Sequence, residues 1–194
     1  MTDSDSLVKP ALKLFAVYLG GRAPRCNTEL HDVVFVVGTS IAQTYERLID
    51  LWFGSAERLH LDSWMELTVV DGHRVVLTKS PTVAQQSDKK LYFVNLGAYA
   101  DGEFTELHAN AIVVGTSERE VKARAKSELL RGKNSVHTDD LFDIDDCLEI
   151  TSVDGYHIVL EPTTELENLV PNNGYHIIPK AVVEEYLRKQ NTFV

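Results

Sequence analysis

The chain is poor in the features that most quickly assign a class. Of its 194 residues only two are cysteine and six are proline, so it encodes neither a disulfide scaffold nor a proline-rich linker. No stretch approaches the roughly 18 apolar residues that a membrane helix needs. The opening MTDSDSLVKP is polar and acidic where a secretion signal is basic and then apolar. Lys and Arg number 19 against 29 Asp and Glu, a formal charge of -10. With no basic tract interleaved with aromatics, this balance argues against nucleic acid or an anionic membrane surface as principal partner. Also missing are G-x-G-x-x-G, the phosphate-binding lysine loop and G-x-S-x-G, which leaves dinucleotide binding, P-loop chemistry and serine hydrolysis without a signature. The expectation is a reduced protein of the cytoplasm, with Cys26 and Cys147 unbridged.

What is present is a duplication. Residues 28–40, TELHDVVFVVGTS, return 77 positions later as residues 105–117, TELHANAIVVGTS. Residues 13–62 lie over 90–139 without a gap and share KL, Leu19-Gly20 with Leu96-Gly97, TELH, VVGTS and His-x-Asp. After a six-residue insertion the offset becomes 83, and residues 64–77 match 147–160 around E-x-T-x-V-D-G. Two copies are too few for a solenoid, so the pattern predicts a closed domain with pseudo-twofold symmetry.

Within a copy, KLFAVYL before Gly20-Gly21 reads as a buried strand stopped by a glycine turn, and residues 33–37 as a second strand. The apolar positions Ile41, Tyr45, Leu48, Ile49 and Trp52 draw one helical stripe behind Thr39 or Ser40 as N-cap. Two further strands flank Asp71-Gly72, and Asp154-Gly155 in the second copy, the strongest short hairpin signal. The expected class is therefore α+β: a duplicated β-β-α-β-β unit plus a C-terminal strand and helix. The expected divisions are a leader (1–12), repeat one (13–78), a linker (79–89), repeat two (90–161) and an extension (162–194) packed on the body. Lys122, Arg124, Lys126 and Arg131 read as a solvated helix face. The acidic run of residues 139–146 lacks the glycine and glutamate of an EF-hand loop. The C-terminal helix, or a sheet edge, offers a homodimer surface.

Duplication also selects candidate chemistry, because a polar side chain kept in both copies answers the same local demand twice. Glu29, His31, His60 and Asp62 pass this test against Glu106, His108, His137 and Asp139. Histidine with carboxylate suits acid-base work or a metal site, and it equally suits a histidine bonding a loop carbonyl and an aspartate starting a turn. Arg22, beside Gly20-Gly21, is a further candidate for gripping an anion. Tyr18, Trp52 and Trp64 read as core. No catalytic residue, cofactor or metal is named by the sequence.

The combination KLFAVYLGG, ELHDVVFVV, His-x-Asp-x-Trp with E-L-T-V-V-D-G, and the later H-T-D-D and D-D-C-L run resembles the bacterial domain-of-unknown-function family numbered 1543. The resemblance covers about residues 13–160 and implies a small bacterial protein with no activity or ligand to carry over. The expected function is non-catalytic binding of a small molecule or protein in the groove between repeats. The alternative is a metal-assisted hydrolase or isomerase using the retained His, Asp and Glu residues.

Overall fold

The computed structural model describes residues 10–80, 82, 87–98, 102–130, 142–166 and 168–192. Most of the leader, half of the 79–89 linker, Arg131, His137 and Asp139 lie outside the described residues. In chain order the elements are β1 (Lys13–Gly21), β2 (Leu30–Gly38), α1 (Tyr45–Leu51), β3 (His60–Glu66), β4 (Val69–Val70) and β5 (His73–Thr78). The second repeat supplies β6 (Lys90–Ala98), β7 (Leu107–Gly115), α2 (Glu118–Leu130), β8 (Phe142–Ile150), β9 (Ser152–Val153) and β10 (Tyr156–Pro162); β11 (Asn172–Ile177) and α3 (Lys180–Thr192) follow. The class is α+β, as expected, but each repeat holds one strand more, β3 or β8, ahead of its hairpin.

Two compact units form, Met1–Leu67 with Leu169–Val194, and Thr68–Asn168. In the first, β1 is central in an antiparallel sheet ordered β11, β3, β1, β2. Alternation along β1 sends Phe15, Val17 and Leu19 into a core with Val36, Leu48, Ile49, Trp52, Leu61, Ile178 and Val183. Val17, Leu19, Val36 and Leu48 are fully buried, each contributing roughly 1.5–3 kcal/mol. The C-terminal helix α3 packs on this unit: Lys189 pairs with Glu46 at 2.8 Å and the Tyr186 hydroxyl donates to Asp50 at 3.3 Å.

The VVGTS motif proves to be a helix-entry device. A Cβ on Gly38 would lie 2.7 Å from Thr44 Cγ2, and one on Gly115 would lie 2.4 Å from Val121 Cγ1, so each helix starts too close for any side chain there. The Thr39 hydroxyl donates to Gln43 and the Thr116 hydroxyl to Glu120, both at 2.5 Å. Ser117 accepts from the Glu120 amide at 3.3 Å as a cap, whereas the Ser40 side chain makes no capping bond. The stripe read as one helix is in fact a 3-10 turn, Ile41–Thr44, followed by the seven-residue α1.

The second unit contains two sheets. One is ordered β7, β6, β8, and α2 packs Val121 and Ala125 against Tyr92, Val94, Leu96 and Val113 on it. The other is ordered β4, β5, β10, β9 and joins the hairpins of both repeats. Val76 lies opposite Val159, its own counterpart at offset 83, with Leu77 opposite Ile158 and Val75 opposite Leu160. Pairing of equivalent residues in antiparallel strands puts a local twofold axis through the Val76 and Val159 pair, so the pseudo-symmetry is visible in this sheet. Both turns are left-handed at Asp-Gly, with φ of 47° and 69° at Asp71 and Gly72 and of 51° and 77° at Asp154 and Gly155, as a type I′ hairpin requires.

Asp71 does more than turn the chain. Its Oδ2 accepts the Val114 amide of edge strand β7 at 2.6 Å and pairs with Arg124, which also donates to the Val114 carbonyl at 3.1 Å. Arg124 is therefore a tie between a first-repeat turn and the second-repeat sheet, where the sequence suggested a solvated face.

Candidate functional site

The candidate residues of the first copy meet on one strand position. Gly20, next to the end of β1, is paired on one side with His31 of β2 and on the other with His60 of β3. Cross-strand partners share a sheet face, and because Gly20 has no side chain the two imidazoles face each other across open backbone. A Cβ there would stand 2.4 Å from Asp62 Oδ2 and 2.6 Å from His60 Nε2. Gly20 and Gly21, expected as a turn that stops the strand, belong to β1 and serve close approach instead.

Asp62 reaches this face through a β-bulge. The register passes from Tyr18 opposite Ser63 to Leu19 opposite Leu61, leaving Asp62 as the extra residue. Its two oxygens bridge the rings: Oδ1 lies 3.2 Å from His60 Nε2 and Oδ2 3.2 Å from His31 Nε2. Glu29, in the loop before β2, brings Oε1 within 3.1 Å of His60 Nε2. Tyr18 stacks on His31, rings 5.2 Å apart and 8° from parallel. Tyr175 of β11 covers the His60 ring at 4.1 Å. Burial, then the Asp62 charge, raises the Tyr18 hydroxyl's pKa above its ordinary value of 10.0, so it remains a phenol. Tyr18 thus belongs to the site, where the sequence suggested core.

His60 is the centre of this arrangement. Only 1% of the residue is exposed, and its Nδ1 stands 3.1 Å from the Arg58 carbonyl. A carbonyl can only accept, so the ring carries its proton on Nδ1. In the neutral ring, Nε2 then presents a lone pair towards two carboxylates. Neither oxygen is aligned as a hydrogen-bond partner, and both Nε2 and Asp62 Oδ2 are buried without one. Electron-rich atoms facing one another at this distance repel. The group is satisfied when something positive, a proton or another cation, lies between them.

The other candidates fare differently. Arg22 is directed to the Asn27 carbonyl, at 3.5 Å, and no contact joins it to the histidines among the described residues. In the second copy His108 Nε2 is 3.7 Å from Glu106. Strand register also revises the repeat alignment: opposite Gly97, the counterpart of Gly20, stands Asp143, followed by Ile144 and the same bulge. The insertion therefore precedes β8, and the strand position of His60 is held in the second copy by Asp143 rather than His137. Among the described residues no set of three or more His, Cys, Asp and Glu is already arranged as a metal cage.

Sequence reasoning missed Gly20, Tyr18 and Tyr175. The available signal was the repeated Leu-Gly pair, a glycine kept inside a strand pattern. Both cysteines are free, and no helix among the described residues is long and apolar enough to cross a membrane.

The family described as Domain of Unknown Function (DUF1543) matches residues 26–77 and 103–160, one segment in each repeat. Among solved structures, the chain is similar to "a protein Il1583 from Idiomarina loihiensis", with 37% identity and a TM-score of 0.67 over 88% of this chain and 99% of that one. No curated protein matches. With more than half of its length covered by the family, the chain belongs to DUF1543.

Proposed function

We propose that the protein is a non-catalytic binding domain whose ligand sits at Glu29, His31, His60 and Asp62 on the sheet of the first unit. One observation carries this reading: a buried imidazole nitrogen, fixed in its tautomer by a carbonyl, lies at ion-pair distance from two carboxylates with no aligned hydrogen bond to either. Leaving buried polar atoms unpaired costs about 1–3 kcal/mol each. A fold retains that cost readily where a ligand removes it. The ligand class follows from the charges: a small cation, or a group presenting hydrogen-bond donors. Glu29 and His31 are partly exposed, at 44% and 39% of their side chains, and supply the approach.

Ligand-observed and histidine-ring NMR with a panel of small amines, guanidines and metal cations provides the test. The expected result is a panel member that shifts the His31 and His60 ring signals and no longer shifts the His60 ring in Gly20→Ala, whose methyl would occupy the centre of the group, or in His31→Ala, which removes a partly exposed member of the site. A panel that leaves both rings unmoved, or that acts on both variants as it does on the unaltered protein, overturns the proposal.

A further inference from the structure

We infer that the occupant of this site is a divalent first-row transition metal ion, held by His60 Nε2, His31 Nε2, Asp62 and Glu29. The inference rests on the binding reading above and narrows it to one ligand class.

The donor set comes first. Two imidazoles with two carboxylates suit zinc, iron, cobalt or nickel, whereas magnesium and calcium prefer oxygen alone. The spacing agrees. An ion with bonds of about 2.0–2.1 Å in tetrahedral array keeps its donors about 3.3 Å apart, and the observed separations around His60 Nε2 are 3.1 Å to Glu29 and 3.2 Å to Asp62. The orientation agrees too, because neither oxygen lies where a proton on Nε2 would reach it well. The outer contact is of the kind that metal-bound histidines have: the far nitrogen donates to a backbone carbonyl, Arg58 O at 3.1 Å, which fixes the ring and its tautomer.

His31 is the movable member. Its Nε2 faces the second oxygen of Asp62 at 3.2 Å on a partly exposed side chain, and the inference requires this ring to turn towards His60 Nε2. The four side chains do not yet converge as a cage, so binding requires His31 and the carboxylates to close on His60 Nε2. Tyr18 and Tyr175 lie on His31 and His60, respectively, and restrict both rings to the sheet face.

The full chain, freed of metal with a chelator, is titrated with Co²⁺ and with Zn²⁺, following heat by calorimetry and the visible bands of Co²⁺. The expected result is one ion per chain, with Mg²⁺ and Ca²⁺ unable to compete. His31→Ala and Glu29→Gln, both at partly exposed side chains, are each expected to lower affinity about tenfold or more, and His60→Ala to abolish binding. Absence of binding, an affinity unaffected by these variants, or equal competition from Mg²⁺ overturns the metal inference. If the metals fail while an organic cation still binds in a Gly20-dependent way, only the metal inference falls. If nothing binds, the general reading falls with it.

Discussion

The sheets that the two repeats build around β1 and β6 make a controlled comparison. Both place a glycine on the central strand, flanked by residues of two neighbours, and both carry a bulge at the same point of the third strand. Both also tie the central strand to the third with a lysine and a glutamate, Lys13 with Glu66 and Lys90 with Glu149, each at 2.7 Å. They differ in what surrounds the glycine. In the first unit the neighbours are His31 and His60, and β11 pairs with β3 so that Tyr175 covers the His60 ring. In the second unit the neighbours are His108 and Asp143, and among the described residues the sheet stops at β8. Duplication kept the backbone device, while the chain after the repeats completed the surroundings of one copy only.

Three experiments break or sharpen that comparison. The largest effect is expected in the strands themselves. Leu19 and its counterpart Leu96 are both fully buried, so Leu19→Ala and Leu96→Ala should each cost about 2–5 kcal/mol in urea unfolding. A negligible loss for Leu96→Ala would show that the two central strands are not packed alike.

A smaller effect is expected at the turn. Asp71→Ala takes the acceptor from the Val114 amide and the partner from Arg124, and should cost about 1–3 kcal/mol. Protection of the Val114 amide from hydrogen exchange should fall with it, and unchanged protection would contradict the tie.

The smallest effect separates the helix entries. Glu120 is held below its ordinary value of 4.5, first by the Thr116 hydroxyl and then by the Thr116 amide. Its contribution is therefore complete above pH 4.5 and disappears as the pH falls through the lowered value. Gln43 fills the same role in the first repeat without a charge. Glu120→Gln should flatten the acid limb of stability below its ordinary value of 4.5, while Gln43→Ala leaves that limb in place. An acid limb identical in Glu120→Gln would remove the Thr116 contact as its cause.

Much of the scaffold was legible from residue patterns, because the interactions that set it are local. Asp-Gly selected the two turns, the VVGTS repeat marked both helix entries, and a continuous apolar run before a glycine pair marked β1, with β6 following by the repeat. Strand β3 escaped notice because His60-Leu61-Asp62 is polar where a buried strand is usually apolar. Its function in the sheet depends on partners far along the chain. The same blindness placed the insertion wrongly: matching His-x-Asp favoured His137, whereas the hydrogen-bond ladder aligns Asp143 with His60. A ladder couples residues by register, which letter identity does not measure.

The sequence by itself determined that a half-molecule was copied, which turns and helix starts each copy would use, and that Glu29, His31, His60 and Asp62 were worth watching. Only the tertiary structure decided that these four converge over Gly20, that Tyr18 and Tyr175 flank them, and that Arg22 stands apart. The physical reason is range. Turn and cap preferences act over a few residues, whereas a site across three strands exists only once the sheet's register brings distant segments to within hydrogen-bonding distance.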